Sequence, residues 1–203
     1  MENSQKNSLI LASGSPRRRE LLEEAGVSFE VIVPEVNEES LPEELPKDMV
    51  LRLSRTKADA IASKHPGRFV LAADTIAVTK EDSILGKPKD SHDAEEMLRG
   101  LSGREHFVLS GFTLLNLENA ICISRAIETA VLMRELSLEE IKTYVASGEP
   151  LDMAGSYAIQ GLGGALVKSY EGSYSNVVGL PMKAVLDELK KCGLWNGNPS
   201  DFD

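Results

Sequence analysis

The order of apolar runs and helical periods in this 203-residue chain predicts an α/β fold, a mixed twisted sheet with flanking helices. Three observations carry the prediction. Short apolar runs bounded by Ser, Gly or Asp alternate with segments of helical periodicity through the first half. Two long runs rich in β-branched residues flank one turn signal in the middle. A last helix closes the chain after a glycine-rich stretch, and parallel crossovers combined with a hairpin make a mixed sheet.

SLILA, residues 8 to 12, is a short apolar run that suits a buried strand. A helix follows, with Ser15 as cap, Pro16 at its first position, Leu21, Leu22 and Ala25 turned inward and Gly26 as exit. VSFEVIV, 27 to 33, alternates as a second strand. PEVNEESLPEELP, with three prolines and five glutamates, is a loop. From about Asp48 to Ser63, Val50, Leu53 and Ile61 recur at helical spacing and stop before His65-Pro66-Gly67. RFVLAADTIAV, 68 to 78, reads as a central strand interrupted by one charge.

DSHDAEEMLRGLSG carries cap candidates Asp90 and Ser91, inward Met97, Leu98 and Leu101, and an exit at Gly103. HFVLSGFTLLNL and AICISRAIETAVLM form an antiparallel hairpin around Glu118-Asn119. Ser137 and Glu140 make a capping box that starts a helix over LEEIKTYVA. SYAIQG is expected as a strand, GLGGA as a turn and ALVKSY as the partner of SYAIQG. Pro181 opens a final helix with Val185, Leu186 and Leu189 inward, and residues 1–7 and 196–203 are expected to be mobile.

Composition narrows the function classes. With 42% hydrophobic and 27% charged residues the chain reads as globular, and a formal charge of −10 argues against a nucleic-acid or membrane-surface binder. The opening MENSQKNS lacks the blocks of a signal peptide, and no apolar run approaches the ~20 residues that cross a bilayer, so a cytoplasmic location is expected. Cys122 and Cys192 are isolated, and His65, His92 and His106 have no ligand spacing.

Chemistry concentrates in a few places. Arg17, Arg18 and Arg19 crowd a helix start that is already electropositive, so they either pair with Glu20, Glu23 and Glu24 in solvent or meet an anion there, phosphate above all. Neither GxxxxGK[ST] nor GxGxxG is present. Asp74 follows the apolar FVLAA and must face a cleft, bind a cation or cap a turn. Lys57 lies near the apolar face of its helix, by snorkelling or for function. Lys87 sits in a Gly/Pro-bounded turn, Glu38 in the acidic loop. Gln160 brings an amide, both donor and acceptor, into a stretch that looks buried; it satisfies local backbone groups or a ligand.

ASGSPRR (12–18), AADT (72–75), GKP (86–88), LSGR (101–104), AGSYAIQGLGG (154–164) and GSYSNVVGLP (172–181) together resemble the Maf family of nucleotide pyrophosphatases, in the family's order, from about Leu9 to Leu189. The resemblance implies one domain over 1–203, with a core at about 9–191. It implies an elongated two-lobed fold, related to inosine triphosphate pyrophosphatases, with a central cleft, often as a homodimer. It also implies cleavage of a nucleoside triphosphate between the α and β phosphorus atoms, with Mg2+ or Mn2+. By the same resemblance Asp74 activates the attacking water and, with Glu38, binds the metal. Ser13, Ser15, Arg17, Arg18, Lys57 and Lys87 would contact the phosphates. The combination of Arg17, Thr75 and Gln160 looks like the branch acting on dTTP and UTP rather than on 7-methyl-GTP. The chain departs from the family at Met153, where members often carry lysine in DKAG.

Two other functions fit parts of the pattern. A non-catalytic nucleotide sensor acting in cell division would bind nucleotide and release no pyrophosphate. A phosphatase of the aspartyl-phosphate type would use Asp74, but needs a second acid where this chain has Ile76.

Overall fold

The computed structural model describes residues 8–202; residues 1–7 and 203, included in the ends expected to be mobile, lie outside that range. Seven strands form a mixed sheet: β1 (Leu9–Ala12), β2 (Phe29–Val31), β3 (Phe69–Val78), β4 (Ile84–Leu85), β5 (Glu105–Asn116), β6 (Ile121–Met133) and β7 (Val167–Glu171), in the order β2-β1-β3-β5-β6-β7 with β4 paired to β3. β1 runs parallel to β2 and β3, while β3–β4 and β6–β7 are antiparallel. The helices are α1 (Pro16–Glu24), α2 (Pro46–Ala62), α3 (Ser91–Leu101), α4 (Leu138–Ala146), α5 (Tyr174–Val178) and α6 (Met182–Lys191).

The chain divides into two compact units, Met1–Thr75 with Ser110–Ile127 and Gly179–Asp203, and Ile76–Leu109 with Glu128–Val178. In the first, Ile10, Ala12, Ala58, Ile61, Val70, Ala72 and Leu115 form a core cluster in which α2 covers β1, β3 and β5. The approach is close because Gly111 of β5 has no side chain: a Cβ there would stand 2.3 Å from the Val50 carbonyl oxygen. Ser54 and Thr113 hydroxyls, 3.0 Å apart and buried, pin the same face. These contacts fix α2 against the sheet.

In the second unit, Ala94, Leu98 and Leu101 of α3 and Ile141, Tyr144 and Val145 of α4 pack with Val108, Val131 and Met133. The capping box forms as its sequence requires, with Glu140 N–H donating to Ser137 Oγ at 3.2 Å and Ser137 N–H donating to Glu140 Oε2 at 2.9 Å.

Most sequence-based elements are present within a few residues, including the strands on either side of the turn at 117–120, where Asn119 N–H donates to Asn116 Oδ1 at 2.8 Å. One expectation is overturned. SYAIQG is not a strand: three 3-10 turns, Glu149–Asp152, Ala154–Ser156 and Leu162–Leu166, occupy this region. Ser156 has φ of 61°, which no strand accommodates, and the Ala158 amide is bound to Tyr144 Oη instead of a ladder. β7 pairs with β6 instead.

Candidate active site

In the first unit, β3 places Asp74 mid-strand at 7% exposure, and α2 aims Lys57, 6% exposed, at it. Lys57 Nζ donates to Asp74 Oδ1 at 2.6 Å and to Glu38 Oε2 at 2.7 Å. The helical stripe that buries Val50, Leu53, Ala58 and Ile61 also buries the lysine stem, so the ammonium emerges over β3 rather than in water. Two carboxylates, one buried and one on the exposed acidic loop, thus converge on one cation. Lys57 was expected among the phosphate-binding cations; its bonds to Asp74 and Glu38 use two of the three N–H donors of its ammonium.

The loop between β1 and α1 is built around Arg18. Ser15 caps α1, its Oγ accepting from Arg18 N–H at 3.5 Å. The Arg18 side chain donates to Gly179 O (2.9 Å), Ala73 O (2.7 Å), Ser13 Oγ (3.3 Å) and Thr75 Oγ1 (3.1 Å). Those bonds occupy four of the five N–H groups of a guanidinium. Burial pulls its pKa down from the ordinary value; the carboxylates of Asp74 and Glu38 oppose that shift, and Arg17 adds to it. Arg18 is therefore first a clasp between α1, β3 and the turn at Gly179, with one N–H that no described residue accepts.

Ser13 is buried, its Oγ also accepting from Ser15 N–H at 3.2 Å, and among the described residues no acceptor takes its own hydroxyl proton. Arg17 is half-buried on the first turn of α1. Arg19 is exposed and pairs with Glu23 at 3.6 Å, as its i,i+4 spacing predicts. Thr75 Oγ1 lies 2.7 Å from Ser110 Oγ and 3.0 Å from Gly179 O as well as bonding Arg18, so any contact with a base would displace one of these partners. Ser110 and Gly179 escaped the sequence reading. The only available hint was a Ser-Gly pair interrupting the apolar run of β5, and a main-chain carbonyl leaves no mark on residue type.

In the second unit, Lys87 is exposed and pairs with Asp152 at 3.7 Å, while Gly155 N–H donates to Gly86 O at 3.1 Å. These two contacts hold the Gly86-Lys87-Pro88 turn against the 152–155 segment. Gln160 was expected among buried residues, but it is exposed. Its neighbours Tyr157 and Ala158 are buried, and the bend that follows them turns residue 160 outward.

The chain matches the Maf-like protein family over residues 8–192. It is 51% identical over 188 residues to the dTTP/UTP pyrophosphatase of Geotalea uraniireducens (strain Rf4), covering 93% of this chain and 96% of that protein. It is 50% identical over 182 residues to the dTTP/UTP pyrophosphatase of Bacillus cytotoxicus (strain DSM 22905 / CIP 110041 / 391-98 / NVH 391-98), covering 90% and 94% respectively. Among solved structures, a HAM1 protein from Coxiella burnetii is a distant likeness, with a TM-score of 0.44 and 18% identity over 75% of this chain and 88% of that one. A match spanning nearly every described residue, joined to relatives half identical along almost their whole length, establishes that the chain belongs to the Maf-like protein family.

Proposed function

We propose that this protein is a nucleoside triphosphate pyrophosphatase that hydrolyses dTTP and UTP to the monophosphate and pyrophosphate, by attack of water on the α-phosphorus. The relatives named dTTP/UTP pyrophosphatase, half identical over nearly the full length, support the substrate class. The observation that carries the chemistry is the convergence of Asp74 and Glu38 on one buried ammonium.

A divalent ion, Mg2+ or Mn2+, fits this donor set. Two carboxylates whose oxygens already surround a cation are the ligands that hard cations take. Among the described residues no three or more His, Cys, Asp or Glu cluster to hold a metal, so phosphate oxygens and water would complete its shell around Glu38 and Asp74. When bound, such an ion lowers the pKa of water and offsets charge on the phosphates. Asp74 accepts the proton of the attacking water, and Lys57 holds its carboxylate in place. Arg17, the remaining Arg18 N–H, the third N–H of the Lys57 ammonium, the hydroxyls of Ser13 and Ser15, and Lys87 bind phosphate oxygens and stabilise the charge that develops on pyrophosphate.

Base choice falls to Gln160 with Arg17 and Thr75. A glutamine amide offers one acceptor and two donors, which suits the alternating acceptor and donor edge of uracil and thymine. The resemblance further supports a homodimer, to be checked by light scattering. The two free cysteines accord with a cytoplasmic location, to be checked by fractionation. Among the described residues no helix is long and apolar enough to cross a membrane.

The test is a panel of dTTP, UTP, CTP, GTP, ATP and 7-methyl-GTP with Mg2+ or Mn2+, scoring pyrophosphate against orthophosphate for wild type and Asp74→Asn. Pyrophosphate from dTTP and UTP, with kcat lowered about 10²- to 10⁴-fold in the folded variant, supports the proposal. Nucleotide binding without turnover, orthophosphate as product, or 7-methyl-GTP as best substrate contradicts it.

A further inference from the structure

Gln160 sits on a bend whose two ends are tied to the same pair of side chains. Gly161 N–H donates to Ala158 O at 3.2 Å, closing the bend over residues 158–161. On its entering side, Ala158 N–H donates to Tyr144 Oη at 3.2 Å, and Tyr144 Oη donates in turn to Glu149 Oε1 at 2.8 Å. On its leaving side, Gly163 N–H donates to Glu149 Oε1 at 3.0 Å and Leu162 N–H to Glu149 Oε2 at 3.0 Å. One carboxylate therefore gathers three donors, two of them main-chain amides with no strand partner.

The glycines of GLGG make room for this clasp. A Cβ on Gly161 would stand 2.3 Å from Glu149 Oε2 and 2.7 Å from Oε1, and one on Gly163 would stand 2.5 Å from Tyr144 Oη. A Cβ on Gly164 would meet the Ile159 carbonyl oxygen at 2.6 Å. The stretch is glycine-rich because the backbone lies directly on the Tyr144–Glu149 pair and on itself, which is a close-approach requirement rather than a flexible one. Burial alone would raise the Glu149 pKa, but the bonds from Gly163, Tyr144 and Leu162 outweigh it and hold the carboxyl below the usual range, so the clasp is charged near neutral pH. Charge-assisted bonds of this kind are the strong ones.

We propose that Glu149, with Tyr144, is the positioning residue for Gln160: the carboxylate holds the leaving end of the 158–163 segment directly and the entering end through Tyr144 Oη, and so fixes in advance the amide that reads the pyrimidine base. This rests on the reading of Gln160 given above. An exposed glutamine on a free loop would lose much of its discrimination to the entropy of ordering it, whereas a clasped loop meets the base already ordered.

The test compares wild type with Glu149→Gln, Tyr144→Phe, Gln160→Ala and the double variant Glu149→Gln/Gln160→Ala. The readouts are kcat and KM for UTP and CTP, and hydrogen exchange at the Leu162 and Gly163 amides. Glu149→Gln keeps the shape but gives up one acceptor oxygen. The expected result is faster exchange at both amides and a UTP:CTP preference in kcat/KM lowered about tenfold, close to that of Gln160→Ala. The loss lies mainly in KM, kcat stays within about threefold, and the double variant loses no more than either single. Tyr144→Phe moves in the same direction by less, and carries the test by the same criteria if Glu149→Gln fails to fold. If Gln160→Ala lowers the preference while folded Glu149→Gln and Tyr144→Phe keep it, the clasp proposal is overturned and the reading of Gln160 stands. If Gln160→Ala leaves the preference unchanged, the reading of Gln160 falls and the proposal falls with it.

Discussion

Replacing Lys57 with methionine isolates the interaction on which the candidate site is built. Methionine matches the length of the lysine stem but removes the ammonium that bonds Asp74 at 2.6 Å and Glu38 at 2.7 Å. At an effective dielectric of about 20, the Asp74 contact alone is worth about 6 kcal/mol of attraction, set against several kcal/mol of desolvation for each ion. The Glu38 contact adds less, because that side chain is 55% exposed and its charge is screened. Breaking a buried pair by removing one partner costs about 3–5 kcal/mol, since the other charge is left uncompensated. Lys57→Met is therefore expected to lower unfolding free energy by about 3–5 kcal/mol at pH 7 in urea titrations. Adding Asp74→Asn should recover part of that loss, so the double variant is more stable than the sum of the singles predicts. Strict additivity of Lys57→Met and Asp74→Asn would refute the reasoning, because it would mean that the two side chains do not act on each other in the folded protein.

Other outcomes follow from neighbouring contacts. Arg18→Lys keeps the charge but cannot reproduce a planar fork bonding Gly179, Ala73, Ser13 and Thr75 together, so it should lower stability by about 2–4 kcal/mol in urea titrations; a change under about 0.5 kcal/mol would contradict the clasp. His106 is fully buried, its Nε2 2.9 Å from Tyr157 Oη, and burial pushes its pKa from 6.5 down to about 4. The unfolded chain takes up that proton below about pH 6.5 and the folded chain only below about 4. Stability is thus full above pH 6.5 and falls by about 3 kcal/mol as pH drops to 4. His106→Gln should flatten the urea midpoint across that window, and an equal slope in wild type and variant would contradict the assignment.

Much of the fold was legible because it is written in side-chain period and capping. Ser15, Asp90 and Ser137 cap their helices as their positions require, and the apolar run at 69–78 is the central strand. The candidate site was legible where charge stood in an apolar context, as with Lys57 on the buried stripe of α2 and Asp74 within β3. What the sequence concealed was who pairs with whom. Nothing local shows that Lys57 joins Asp74 to Glu38, 19 residues away in the acidic loop, or that Arg18 spends its fork on main-chain carbonyls. The region after Gly148 misled because Tyr157, Ala158 and Ile159 look like strand residues, while the Ala158 amide that a ladder would need is bound to Tyr144 Oη, itself held by Glu149. A carboxylate that binds backbone amides 13 and 14 residues along the chain, as Glu149 does, is a contact that no periodicity reports.

The central claim, water attacking the α-phosphorus, is tested most directly by hydrolysing dTTP in 18O-enriched water with Mg2+ or Mn2+ and weighing both products by mass spectrometry. The account predicts one 18O atom in dTMP and none in pyrophosphate. Label in pyrophosphate, which places the attack on the β-phosphorus, or orthophosphate in place of pyrophosphate, would contradict it.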